Sequence, residues 1–145
     1  MGSHSGDERP ATMTDFHAIA RSFPETVLGA SWGDRPTYLV RGKGFVIFRA
    51  PRHDASDPQT GEIYPDVVVI WTSSEEEGRA LIEDEATPFF TTPHFRGWRT
   101  VLVRQSRIGE VSRGELHGIL LDAWAGRAPK TVVTAYLKDQ AERGT

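Results

Sequence analysis

Apolar residues recur along this chain with two different periods. Phe16, Ile19, Ala20 and Phe23 stand at i, i+3, i+4 and i+7, the stripe of a helix that follows Thr14. Pro24 ends it, because the residue before a proline is pushed out of the α region. Leu116, Ile119, Leu120, Ala123 and Trp124 repeat that spacing behind Ser112-x-x-Glu115, a capping box. Gly126 is a candidate stop for this helix, and Pro129 opens a short final one through Val133, Tyr136 and Leu137. Another helix is expected from Ser73-Ser74 to about Glu85, since Glu75, Glu76 and Glu77 in its first turn complement the helix dipole.

Between these helices the pattern is that of strands. Glu25–Trp32, Thr37–Arg41, Phe45–Arg49, Asp66–Thr72 and Arg99–Gln105 are the expected ones. Gly33-Asp34-Arg35-Pro36 is a turn signal, and Gly42-Lys43-Gly44 closes a hairpin with glycine available for positive φ. The continuous run Val67–Trp71 predicts burial on both faces. Pro51–Pro65 reads as a long polar loop, and Ala86–Trp98 as an irregular aromatic segment. The order implies an α+β fold, a single layer of antiparallel sheet packed against helices. One domain is expected over residues 14–140, after a disordered leader or cloning remnant at residues 1–13.

Composition narrows the function classes. The 145 residues contain no cysteine, which removes disulfides, thiolate metal sites and thiol nucleophiles and points to a cytoplasmic location. No apolar run is long enough for a membrane span. Net charge is −3, yet the charges are segregated. Arg35 to His53 holds five basic residues and no acid, and Ala86 to Gly109 holds four and no acid. Together these windows carry 7 of the 14 aromatics, whereas Glu75 to Glu85 carries six acids and one arginine. The chain therefore has basic regions despite its acidic balance. With fourteen Arg, three Lys and no Asn, arginine abundance alone says little; its separation from the acids is the signal.

Motifs for phosphate loops, dinucleotide folds and nucleophile elbows are absent. The five histidines never fall in His-x-x-x-His spacing, so no metal site is expected. His53, Asp54, Asp57 and Glu62 share one loop without the spacing of a calcium loop, and read as a solvated loop. Two segments stand out, Ser31–Tyr38 and Thr91–Arg104. Each places aromatics, Arg and Gly in a turn just before a strand, where a stacking face, a guanidinium and close backbone approach coincide.

These residues resemble the MmcQ/YjbR family of small bacterial proteins, usually regarded as DNA-binding. The shared features are a Trp-Gly-x-x-Pro-x-Tyr turn at Trp32–Tyr38, a Thr-Pro-His-Phe-x-Gly-Trp-x-x-Val-Leu-Val stretch at Thr92–Val103, and Ala128-Pro129-Lys130 after an apolar helix. The likeness runs over roughly Asp15–Lys130. It implies a fold similar to double-wing DNA-binding domains and distantly to frataxin, no cofactor, and no catalytic residues. The Pro51–Pro65 loop is longer than the connection usual in the family, and adds Asp54, Asp57 and Glu62 near the sheet.

Three function classes follow. The first is duplex DNA binding, with phosphates met by Arg35, Arg41, Lys43, Arg49, Arg96, Arg99 and Arg104. It assumes that Thr37, Leu39 and Arg41, Phe45, Ile47 and Arg49, and Thr100, Leu102 and Arg104 share one sheet face. The second is a non-catalytic domain binding a small molecule or protein, with the motif residues Trp32, Gly33, Tyr38, His94, Phe95, Gly97 and Trp98 around a pocket. The third is an enzyme using His94 and Arg96. Trp32 and Trp98 are expected to be core rather than exposed stacking faces, and Trp71 and Trp124 to be core.

Overall fold

A computed structural model describes residues 6–144. Helix α1 spans Met13–Ser22 and begins two residues earlier than a start after Thr14. The reason is a second capping box: the Thr12 hydroxyl accepts from Asp15 N at 3.1 Å, and the Asp15 carboxylate accepts from Thr12 N at 3.0 Å. Strands β1 (Thr26–Ser31), β2 (Arg35–Val40) and β3 (Lys43–Phe48) follow, then β4 (Val67–Trp71), helix α2 (Glu75–Glu83) and β5 (Thr100–Arg104). Helix α3 covers Arg113–Arg127, capped by the expected Ser112/Glu115 box. It runs through Gly126 rather than stopping there, and Ala128-Pro129 makes the break instead. The last helix, α4 (Lys130–Arg143), is fourteen residues long rather than short.

The five strands form one antiparallel sheet in the order β1-β2-β3-β4-β5, so the chain is α+β. The β2–β3 hairpin is tighter than expected. Val40 pairs with Lys43, leaving Arg41 and Gly42 as a two-residue turn with φ of 50° and 81°, the pattern of a type I′ turn. Lys43 and Gly44 are thereby strand residues. A bulge then puts Tyr38 opposite Val46 but Leu39 opposite Gly44, with Phe45 as the extra residue. At Gly44 a Cβ would come within 2.8 Å of Thr37 Cγ2, so glycine is needed beside the bulge.

That bulge corrects the assumed alternation. Phe45 does not share a face with Ile47; it joins Tyr38, Val40, Val46, Phe48, Val68, Ile70, Val101 and Val103 under α1 and α3. Phe16, Ile19, Ala20 and Phe23 of the first stripe, and Leu116, Leu120, Ala123 and Trp124 of the second, close this core. The other face is covered too. Ile47, Val67, Val69 and Leu102 pack with Ala55 and Phe95, which come from the two segments without regular structure. Burial of β4 on both faces therefore matches its uninterrupted apolar run.

The expected disordered leader is ordered in part. Residues 1–5 lie outside the described residues, but Ala11 is buried, its N–H bonds the Val111 carbonyl at 2.9 Å, and Pro10 bridges Ser112. Nor is the long loop shapeless. Asp57 N bonds the Glu62 carbonyl at 2.8 Å and Tyr64 N bonds that of Ala55 at 2.9 Å, a small hairpin lying over the sheet. Among the described residues no helix is long and apolar enough to cross a membrane.

Candidate ligand cleft

On the loop-covered face three segments leave a cleft of about 790 Å³ between them. One is the β1–β2 turn, with Trp32 and Gly33 both at positive φ, 49° and 85°. The left-handed region is ordinary for glycine and costly for tryptophan. The second is the 3₁₀ turn Pro93–Phe95, after which Gly97 at φ 88° turns the chain and Trp98 N bonds the Phe95 carbonyl at 2.9 Å. The third is the stretch just after β3, which supplies Arg49, Ala50, Pro51, Arg52, His53 and Asp54.

Phe95 is the hub. Its buried ring is stacked with Trp32 at 5.9 Å and edge-on to Trp98 at 5.3 Å and His94 at 4.9 Å. Trp98 in turn stacks on Trp71 at 6.0 Å, and the Arg127 guanidinium covers Trp71 at 4.4 Å. Burial, with Arg99 nearby, pushes the Arg127 guanidinium below its ordinary value. Contrary to the expectation of core indoles, Trp32 is 46% exposed and Trp98 41%, and Trp71 is only half-buried. Both turns lie at strand ends, just before β2 and just before β5, where the indoles are only partly covered. Trp124 alone of the four is fully buried.

Arg49 forms the polar floor. Its side chain is 3% exposed, pairs through Nη2 with Asp54 Oδ1, and places Cζ 5.5 Å from the Phe95 ring centre. Its Nη1 is buried with no hydrogen-bond partner. Partial burial works to raise the Asp54 carboxyl, but the hydrogen bond and charge of Arg49 outweigh it and hold the carboxyl below its ordinary value.

Of the motif residues expected around a pocket, Trp32, His94, Phe95 and Trp98 line this one, and Gly33 and Gly97 shape its turns. Tyr38 does not. It is buried on the opposite face, its hydroxyl 2.6 Å from His17 Nδ1. The bulge at Tyr38/Leu39 and the alternation of β2 send its ring under the helices.

The seven basic residues do not assemble into one array. Arg41 lies in the hairpin turn, paired with Glu25. Arg49 is buried and paired with Asp54. Arg104 bonds Asp66 at 2.9 Å while its guanidinium lies 4.1 Å from the Tyr64 ring centre, and Arg35 Nε bonds the Phe48 carbonyl at 2.9 Å. Lys43, Arg96 and Arg99 are exposed with no ion pair among the described residues. Burial tends to raise the Asp66 carboxyl, but hydrogen bonds from Arg104 and Ser106 prevail and lower it.

Sequence reasoning missed Arg52, His53 and Asp54 as site residues, having read their loop as solvated. Their one signal was position, just beyond the arginine that follows β3. Asp57 and Glu62 go elsewhere: Asp57 Oδ1 accepts from Gln59 N at 2.7 Å inside the small hairpin. Among the described residues no three His, Asp or Glu side chains gather as a metal site would require.

Comparison with known proteins bears on identity. The sequence model of the YjbR family matches residues 21–125, a span that includes Trp32 to Tyr38, the whole cleft and most of α3. The uncharacterised protein Rv2570 of Mycobacterium tuberculosis (strain H37Rv) is 40% identical over 82 residues, 57% of this chain and 58% of the relative. The uncharacterised protein Mb2600 of Mycobacterium bovis matches with the same figures. The chain thus spans 58% of the length of the relatives it matches. No solved structure matches.

Proposed function

We propose that this chain, which belongs to the YjbR family, is a non-catalytic binding domain that takes a small organic ligand in the cleft between Trp32, Trp98 and the segment after β3. The observation that carries this reading is two tryptophans held exposed on the walls of a cleft of about 790 Å³. That volume lies within the roughly 300–1,000 Å³ usual for small-molecule sites. An indole left in water forgoes the burial that makes it valuable in a core, so its exposure beside a concavity points to a partner. The test is a fragment screen by saturation-transfer NMR on the full chain and on Trp98→Ala. Fragments that bind the wild type and lose their signal in the variant support the reading. No bound fragments, or binding indifferent to Trp98, would overturn it.

Duplex DNA is the second reading, favoured by one observation. Lys43, Arg96 and Arg99 are exposed without acidic partners among the described residues, and Arg96 adjoins Trp98. Three of the seven expected cations are committed to carboxylates, however, so few remain for phosphates. Fluorescence anisotropy with a labelled duplex at two salt concentrations separates the readings. Binding that weakens steeply with salt and is lost in the double variant Arg96→Glu, Arg99→Glu favours DNA. Absence of binding at low salt retires it.

A further inference from the structure

We infer that the ligand of this cleft is a flat aromatic monocarboxylate, its ring against the exposed indoles and its carboxylate on Arg49. The inference rests on the small-molecule reading above and deepens it.

Three observations lead there. Most of the apolar lining is aromatic: Trp32, Phe95 and Trp98 outweigh Ala50 and Pro51, and His94 is edge-on to Phe95. Aromatic walls favour a planar aromatic partner, whose faces and edges meet theirs, while a cation, which ring faces also attract, is opposed by the guanidiniums of Arg49 and Arg52. Second, Arg49 is a buried guanidinium whose Nη2 is committed to Asp54 while Nη1 has no partner. A buried donor left unsatisfied is costly, and guanidinium N–H groups fit carboxylate oxygens in both geometry and charge. Third, charge decides which anion. With the imidazoles of His53 and His94 counted as neutral, the lining holds two guanidiniums, Arg49 and Arg52, and one carboxylate, Asp54. These leave one net positive charge. A monocarboxylate neutralises that, whereas a phosphate monoester, carrying close to two negative charges, would overfill it beside Asp54.

The test is isothermal titration calorimetry on the full chain with three probes of one ring size: naphthoate, neutral naphthylmethanol and naphthyl phosphate. Naphthoate is expected to bind about tenfold tighter than naphthylmethanol, the worth of one charge-assisted hydrogen bond. Naphthyl phosphate should bind more weakly than naphthoate. Trp98→Ala should weaken all three. Arg49→Met should remove the advantage of the acid over the alcohol. Because that change leaves Asp54 unpaired and could unfold the chain, Asp54→Asn is the second variant. It adds one net positive charge to the cleft, so the preference should move towards the phosphate by about tenfold, which a purely structural role of Asp54 would not produce.

Equal affinity for acid and alcohol, with both weakened by Trp98→Ala, would overturn the anion anchor and leave the small-molecule reading standing. A wild-type preference for the phosphate would overturn the charge argument. Binding of none of the probes, together with a fragment screen that finds nothing, would overturn both readings.

Discussion

The two faces of the sheet are covered by different means, and the difference separates stability from function. On the helix side the large buried polar groups are partnered: Trp124 Nε1 donates to the Pro24 carbonyl at 3.1 Å, and Tyr38 Oη meets His17 Nδ1 at 2.6 Å. On the loop side Arg49 Nη1, Trp71 Nε1 and Thr100 Oγ1 are buried without a partner. Each such group costs about 1–3 kcal/mol if nothing completes it. One sheet thus carries an aromatic core on one side, where Thr26 Oγ1 is the unpartnered group among the described residues, and on the other a surface assembled from turns that holds more unspent hydrogen-bonding capacity beside exposed indoles.

The largest expected effect tests this contrast with one residue type. Trp124 stacks on Phe23 at 5.4 Å and meets Tyr136 at 5.2 Å in the core. Trp124→Ala should cost about 3–5 kcal/mol in urea denaturation, the range for deleting a buried aromatic. Trp98→Ala should cost less than about 1 kcal/mol, as an exposed position does. Equal costs for the two would erase the distinction between the faces.

The loop side is also held electrostatically at the ends of its strands. Asp66 accepts from Arg104 Nε and from Ser106 N, each at 2.9 Å, and ties the start of β4 to the end of β5. Asp66→Asn should cost about 1–2 kcal/mol at neutral pH, towards the low end for charge-assisted bonds because both side chains are partly exposed. The sign with pH follows from the lowered carboxyl. As pH falls through the unfolded value of about 3.9, the unfolded chain takes up the proton first. The contribution is complete above that pH and is lost as pH falls through the folded value. Thermal melts from pH 6 to pH 3 should show a shallower decline for the Asn variant than for the wild type; parallel curves would remove this attachment.

The helix side should respond in a different window. Burial, with Arg21 nearby, lowers the His17 imidazole, and burial likewise lowers that of His117. When pH falls through the unfolded value of about 6.5, the unfolded chain again protonates first. Stability from these groups is therefore present above that value and is lost as pH falls through the folded one. The expected change is smaller than that of the carboxylate exchange. His17→Phe, which keeps a ring against Phe48 where His17 stacks at 5.3 Å, should flatten melts between pH 8 and pH 5 without altering the acid limb. A wild type indifferent to pH across that interval would contradict it.

How much of this was legible follows from how local each cause is. Helices α1 and α3 were readable because stripe and cap are both written in neighbouring residues: Ser112 with Glu115 beside Leu116 and Leu120. The β4 run foretold burial on two faces, since no polar residue interrupts Val67 to Trp71. The bulge at Phe45 was not readable. It depends on pairing two strands, and it put Phe45 on the helix face beside Val46, against simple alternation. The aromatic turns were recognised as a site, but their exposure was not, because exposure depends on where a turn projects rather than on its composition. Arg49 and Asp54 met a similar limit. An ion pair five residues apart, with its arginine buried, looks in one dimension like a strand end and a solvated loop.

Trp32 gives the smallest effect, and its sign is the informative part. An L-residue in the left-handed region costs about 1–2 kcal/mol, and Trp32 sits there at φ 49° with its ring stacked on Phe95. At an ordinary exposed site alanine is more stabilising than glycine, since glycine frees the unfolded chain. At Trp32 the order should invert. Trp32→Gly and Trp32→Ala both lose the stacked ring, but only alanine retains the backbone penalty, so the glycine variant should be the more stable by about 1 kcal/mol. Urea midpoints measured side by side decide it. Both variants should also lose most of the affinity for naphthoate, because the wall is gone in either. A glycine variant that matches or exceeds wild-type stability while failing to bind would show that the turn holds Trp32 against its backbone preference for the sake of the cleft. If the alanine variant proved the more stable, the turn would carry no such cost, and Trp32 would be one more exposed aromatic at a strand end.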